Sequence, residues 1–158
     1  MDRRSTSQTN RSMSSLNFLD ANVWLALCVS RHIQAERARS WFAEAAQERF
    51  FLCRFTQLAV LRLLTTASVM GNDTETMAGA WKLLDRIQSD DRIEFLFEPE
   101  GLDREFRRRS NLASRSPKVW ADAYLLAFAA AGGLKLITFD RALKTKGPES
   151  HKVDVLVL

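Results

Sequence analysis

The sequence predicts an α/β protein, a helix-sheet-helix sandwich built on a central, mainly parallel sheet of about five strands. Three observations carry this expectation. Short apolar runs of strand type alternate with segments whose apolar residues recur at helical spacing, and each parallel connection needs such a crossover helix. Two of the runs, "LNFLD" and "LKLITFD", end in Asp20 and Asp140. Such a position lies just beyond the carboxyl end of a strand, where α/β sheets gather their ligands. Finally, 158 residues suffice for one core and fall short of two ordinary domains, so a single domain is expected over residues 16–158.

Taken in order, the first fifteen residues, "MDRRSTSQTNRSMSS", are polar and lack the apolar centre of a secretory signal. They read as a disordered extension, with Met13 an alternative start. Asn17 to Leu19 is the first strand, and "ANVWLALCVS" opens a short, largely buried helix after Asp20. From Ile33 to Gln47 the set Ala35, Ala38, Trp41, Phe42 and Ala45 marks an amphipathic helix. That stripe belongs to the core or forms a groove for a partner helix. Phe50 to Cys53 is the second strand. A helix then runs from Thr56 to Met70 and stops at "GND", and another spans Thr74 to Gln88, where Trp81, Leu84 and Ile87 share a face. "RIEFLF" is the third strand, followed by a short helix and an Arg-rich loop. Lys118 to Ala131 is helical and ends at Gly132 and Gly133, "LKLITF" is the fourth strand and "VDVLVL" the last.

Composition removes several classes of function. No apolar run approaches the roughly 20 residues of a membrane span. Cys28 and Cys53 sit in apolar surroundings without Cys/His spacing, which predicts buried thiols in a reducing compartment, the cytoplasm, and argues against zinc. His32 and His151 are too far apart for a paired-His nuclease, and neither a Gly-rich phosphate loop nor a Ser/His/Asp set is present. A receiver-type signalling domain needs an acceptor Asp after a central strand, and "RIEFLFEPE" has none. The net charge of +4, partly due to the first fifteen residues, suggests a polyanionic or acidic partner.

The acids carry the chemistry. Asp20 interrupts an apolar run, and a carboxylate removed from water needs a hydrogen bond, a proton or a cation. It either caps the helix that follows or belongs to a site. Asp140 presents the same choice. Asp122 in "SPKVWADAYLLAFAAAGG" shares a helix face with Leu125, Leu126 and Ala129, which turns it toward the sheet. Three carboxylates brought together repel one another and raise each other's pKa, and a divalent cation reverses that cost. Ligands that are all oxygen favour Mg²⁺ or Mn²⁺, ions that act on phosphodiesters by acidifying water and neutralising phosphoryl charge.

The segments "FLDANVWLAL", "TQLAVLRLL", "WADAYLLAFAAAGGLKLITFD" and "RAL" together resemble a PIN domain, and most closely the VapC toxins of type II toxin-antitoxin systems. The ordered set Asp-x-Asn, Asp-Ala and Thr-x-Asp carries the resemblance, which extends from Leu16 to the C-terminus. It implies a PIN-like fold and a Mg²⁺- or Mn²⁺-dependent endoribonuclease that leaves a 5′-phosphate and a 3′-hydroxyl. It also implies neutralisation by a VapB-type antitoxin and, commonly, a homodimer. Carried over by position, Asp20, Asp122 and Asp140 are metal ligands, with Asn22 and Thr138 as supporting polar groups that orient them. One position departs: Gln57 stands where the family usually has Glu. Either three acids suffice and Gln57 steers a water or a substrate group, or the protein has moved toward RNA binding without efficient cleavage. Arg62 is a surface residue or, as the family's matching Arg suggests, a buried partner of an acid.

Arg104 to Lys118, "REFRRRSNLASRSPK", concentrates positive charge. Arg107, Arg108, Arg109, Arg115 and Lys118 are the candidates for holding RNA phosphates, the alternative being a solvated face. Trp120 and Phe106 are core aromatics or surfaces on which bases stack.

Overall fold

The computed structural model describes residues 14–158, so the expected N-terminal extension lies outside the described residues except for Ser14 and Ser15. In chain order the elements are β1 (Leu16–Leu19), α1 (Ala21–Cys28), α2 (Ala35–Glu44), β2 (Arg49–Cys53), α3 (Arg54–Leu64), α4 (Ala67–Met70) and α5 (Met77–Gln88). They continue with β3 (Ile93–Leu96), α6 (Leu102–Ser110), α7 (Lys118–Gly132), β4 (Lys135–Thr138), α8 (Arg141–Lys146) and β5 (Val155–Val157). Short 3-10 turns cover Gly71–Asp73 and Ser150–Lys152.

All five strands pair in parallel, in the order β3-β2-β1-β4-β5. The expected α/β sandwich on a parallel sheet is what forms. β1 lies at its centre, with Phe18 opposite Phe51 on one side and Leu136 on the other. Successive side chains of a strand point to opposite faces, so Phe18 and Leu19, both fully buried, feed two separate cores. Leu19 packs with Trp24, Phe50, Leu52 and Leu84 beneath α1, α3 and α5. Phe18 packs with Phe51, Leu126, Phe128 and Leu136 beneath α7, and its ring stacks on Phe128 at 4.6 Å between centroids. Each such side chain contributes about 1.5–3 kcal/mol by leaving water.

Where boundaries differ from the sequence expectation, hydrogen bonds explain them. The helix expected from Thr56 to Met70 breaks after Leu64. The hydroxyls of Thr65 and Thr66 donate to the carbonyls of Leu61 (3.0 Å) and Arg62 (2.5 Å), competing with the backbone ladder. At its start Thr56 Oγ1 accepts from the Cys53 amide at 3.0 Å, which lets α3 begin at Arg54. α5 starts at Met77 because Thr76 caps it, accepting from the Gly79 amide. α2 is shorter than expected, and Ile33 lies outside it, 92% exposed. Gly133, at φ 62°, ends α7 in the left-handed conformation that favours glycine. Most of the expected Arg-rich loop is helical, since α6 takes in Arg107, Arg108 and Arg109. The stripe on α2 is core: Ala35 and Ala38 are buried, and Trp41 and Phe42 pack on Phe50. Among the described residues no helix is long and apolar enough to cross a membrane.

Candidate active site

Because β1 and β4 are neighbours, Asp20 and Asp140 leave the sheet side by side at its carboxyl edge. The Asp20 amide donates to the Ile137 carbonyl at 2.9 Å, extending the ladder to the acid itself. Thr138, wholly buried on β4, links the two acidic segments. Its hydroxyl donates to Asp20 Oδ2 at 2.9 Å and accepts from the Asp140 amide at 3.0 Å. One hydroxyl thus uses its donor on one acid and an acceptor lone pair on the backbone of the other.

Asp20 occupies the N-cap position of α1 but makes no side-chain capping bond. Asp140 does cap: its Oδ1 accepts from the Ala142 amide at 2.7 Å at the start of α8, while the residue stays exposed. Asp122 is half-buried in the second turn of α7. Burial pushes the Asp20 carboxyl above its ordinary pKa, more than the Thr138 and Ala21 hydrogen bonds lower it, and the charges of Asp140 and Asp122 push it further. Asp122 is raised by burial and then by Asp140, while Lys118, one turn earlier, draws it down. The three acids therefore feel one another. Among the described residues no salt bridge reaches any of them. Nor, among the described residues, does any trio of acidic, His or Cys side chains close around a single point where a metal ion would sit.

The remaining candidates divide. Gln57 is buried in the first turn of α3, and its Oε1 accepts from Arg54 Nη1. Arg54 in turn lies over the Phe95 ring at 4.8 Å, so the amide oxygen faces the β2–β3 flank. Asn22 does not take the expected supporting role: it is exposed and makes no side-chain hydrogen bond among the described residues, because α1 buries the residues on either side of it and turns position 22 outward. Arg62 is exposed, as the surface reading had it. Arg109 is corrected outright. Its guanidinium is buried, Nη1 donating to the carbonyls of Pro148 (2.9 Å) and Glu149 (3.0 Å) and Nη2 lying 3.5 Å from Glu105, so it ties α6 to the chain before β5 and has no surface to offer RNA. Arg107 and Arg108 are exposed and pair with Asp103 and Glu105, each at 2.7 Å. Arg115 and Lys118 are exposed and in no salt bridge among the described residues. Sequence reasoning missed Glu98, two residues beyond β3, which accepts from the Tyr124 hydroxyl at 3.1 Å. Burial, then Cys53 and Glu98, push that phenol up.

Comparison with known proteins gives this arrangement a lineage. The sequence profile of the PIN domain matches residues 18–147. Ribonuclease VapC41 of Mycobacterium tuberculosis is 40% identical over 133 residues, covering 81% of this chain and 91% of the relative. Ribonuclease VapC44 of the same organism is 34% identical over 126 residues, 79% and 86% of the two chains. The crystal structure of M. tuberculosis VapC20, a sarcin-ricin loop cleaving toxin, superposes with a TM-score of 0.63 at 13% identity, over 85% of this chain and 97% of that one. That of PAE2754 from Pyrobaculum aerophilum gives 0.54 at 21% identity, over 87% and 90%. Those two structures speak to the fold alone. The chain therefore belongs to the PIN domain family, and its curated relatives there are VapC ribonucleases.

Proposed function

We propose that this chain is an endoribonuclease toxin of the VapC type, acting in the cytoplasm on RNA phosphodiesters with Mg²⁺ or Mn²⁺ and held in check by a VapB-type antitoxin, as a single domain over residues 16–158 that forms a homodimer. The observation that carries the reading is the Thr138 hydroxyl set between Asp20 and Asp140, with Asp122 electrostatically coupled to both. A cluster of anions with Lys118 as its nearby cation and no salt bridge among the described residues costs stability and makes sense as a site for a further cation.

The donor chemistry suits a hard divalent ion, while the three carboxyl groups do not themselves close around one point among the described residues. Every candidate donor is a carboxylate oxygen, and Asp20 carries a charge that burial disfavours. Asp20, Asp122 and Asp140 would hold the metal, which when bound supplies an acidified water and charge neutralisation at the phosphoryl oxygens. Thr138 holds Asp20 through a hydrogen bond to Oδ2, which orients the carboxylate. Lys118 favours the ionised form of Asp122, the form that binds a cation. Arg107, Arg108, Arg115 and Lys118 hold phosphates that the acids alone would repel.

A second reading is an RNA-binding module with weakened catalysis. It is favoured by the engagement of Gln57 with Arg54, which puts no fourth charge toward the acids. Purified protein incubated with structured RNA, with and without EDTA, separates the two. Metal-dependent fragments that vanish in Asp20→Ala and Asp140→Asn establish the nuclease, whereas binding without fragments establishes the module.

A further inference from the structure

α8 is six residues long, too short to persist on its own, yet its first turn holds one of the three acids, the Ala142 amide donating to Asp140 Oδ1 at 2.7 Å. What seats this helix therefore bears on where that carboxylate stands. Leu143 anchors its inner face in the core shared with Leu126 and Leu136. The far end needs a different device. A helical partner for the Lys144 carbonyl would come from position 148, and Pro148 has no N–H to give. The Ser150 hydroxyl takes that place, donating to the Lys144 oxygen at 2.6 Å from a buried position.

The loop that carries Ser150 is held by other elements. Gly147 passes so close to α7 that a Cβ there would collide with the Leu143 carbonyl oxygen and come within 2.8 Å of Leu126 Cδ1. Glu149 takes a left-handed backbone at φ 53°, which no other non-glycine residue does among the described residues and which its Cβ disfavours. α6 keeps it there. Buried Arg109 donates from Nη1 to the carbonyls of both Pro148 (2.9 Å) and Glu149 (3.0 Å), and the Glu149 carboxylate pairs with Arg108 and, at 2.9 Å, with Lys152. α6 in turn packs on α7, the helix of Asp122, with Phe106 against Tyr124 at 5.7 Å between ring centroids and Leu102 in the core with Leu126. A connected path thus runs from α6 through Arg109, the carbonyls of Pro148 and Glu149, and Ser150 to the end of the helix that Asp140 begins.

We propose that Ser150 and Arg109 are positioning residues for Asp140, a strut from α6 that steadies the carboxylate through the far end of α8 and so sets its spacing from Asp122. This rests on the reading of those acids as metal ligands and extends it to two buried side chains outside the acidic edge. An α8 that frays releases the Ala142 amide and frees the Asp140 carboxylate to swing. With the strut in place the carboxylate is ordered before the ion arrives, and binding does not have to order it.

Two measurements on the full chain test the strut, with thermal melts to verify that each variant folds. In EDTA, hydrogen exchange followed by NMR should show the Ala142 amide exchanging about fivefold faster in Ser150→Ala than in wild type, since so short a helix opens locally. Calorimetric titration with Mn²⁺ should show an affinity about tenfold weaker in Ser150→Ala, and a smaller loss in Arg109→Lys, which keeps the charge without the fork. Ser150→Thr, which keeps the hydroxyl, should restore both readouts. Thr76→Ala, which removes the cap of α5 in the core on the other face of the sheet, should lower Tm and leave both unchanged. Ala142 exchange that stays at the wild-type rate in both Ser150→Ala and Arg109→Lys overturns the strut. Faster exchange with unaltered Mn²⁺ affinity overturns the positioning role and leaves the nuclease reading intact if wild type binds the ion and cuts RNA. Equal losses of affinity in Ser150→Ala and Thr76→Ala assign the effect to general stability and overturn it as well. Wild type that neither binds Mn²⁺ nor cuts RNA overturns both readings.

Discussion

Asp20→Asn should make the protein more stable and inactive at once. The substitution keeps the side-chain shape and a carbonyl oxygen for the Thr138 hydroxyl, and it removes the charge. Three effects compete. Relief of burial and of repulsion from Asp140 and Asp122 favours the variant, and the weaker hydrogen bond to a neutral acceptor opposes it. Burial outweighs the hydrogen bond in the native protein, since the carboxyl sits above its ordinary value, so the balance favours the amide. A gain of about 1 kcal/mol is expected, typical of relieving a strained functional group, which for a chain of this length raises Tm by roughly 2–4 °C. The sign fixes the pH dependence. With the folded pKa raised above the ordinary 3.8, the ionised carboxylate weighs against the fold at neutral pH. That penalty fades as pH falls through the raised value and is gone below the unfolded one. Thermal unfolding in EDTA should therefore show the largest advantage at about pH 7.5 and little near pH ~4. Saturating Mg²⁺ at about 100 times its Kd should stabilise wild type by about 2.7 kcal/mol and the Asp20→Asn variant by less. A variant no more stable than wild type at neutral pH, or an advantage that does not shrink in acid, refutes the account of Asp20 as a charge held for a cation.

Three further outcomes are expected. Gln57→Glu should change Mn²⁺ affinity by calorimetry less than about threefold, because Arg54 would neutralise the new carboxylate, whereas adding Arg54→Ala should tighten it about tenfold. Arg109→Ala should cost about 3 kcal/mol and lower Tm by roughly 6–12 °C by leaving the Pro148 and Glu149 carbonyls without their donor, while the RNA affinity of the folded protein stays the same. Lys118→Gln removes the cation that draws the Asp122 pKa down, so the acidic limb of the pH–cleavage profile should move to higher pH; an unmoved limb would place Asp122 outside the rate-controlling ionisation.

The sheet and the position of two acids were legible because both are local properties. Alternating apolar runs name strands, and an Asp directly after a strand must stand at the edge where the ladder ends. Asp122 was legible from its spacing to Leu125, Leu126 and Ala129. Arg109 was misread because a run of three arginines looks uniformly solvated, although Leu102, Phe106 and Arg109 follow one another at helical spacing and form the inner stripe of α6. Asn22 matched a pattern whose geometric meaning depends on how α1 rotates, which tertiary packing decides. α8 was not foreseen, since six residues carry too little periodicity to register. The direction of the Gln57 amide depends on Arg54 three residues earlier, a choice between side-chain partners that spacing does not settle.

Asp20 is tethered by a main-chain bond to the adjacent strand and Asp140 by its amide on the Thr138 hydroxyl, whereas Asp122 rides on a helix seated by side-chain packing. Two of the three anions are consequently on fixed rails and the third on an adjustable mount. Substitutions along the buried face of α7, such as those that resize Ala123, Ala127 or Phe128, can retune the spacing of the trio without touching any acid. Divergent evolution thus has a dial for reactivity in residues that never meet the substrate.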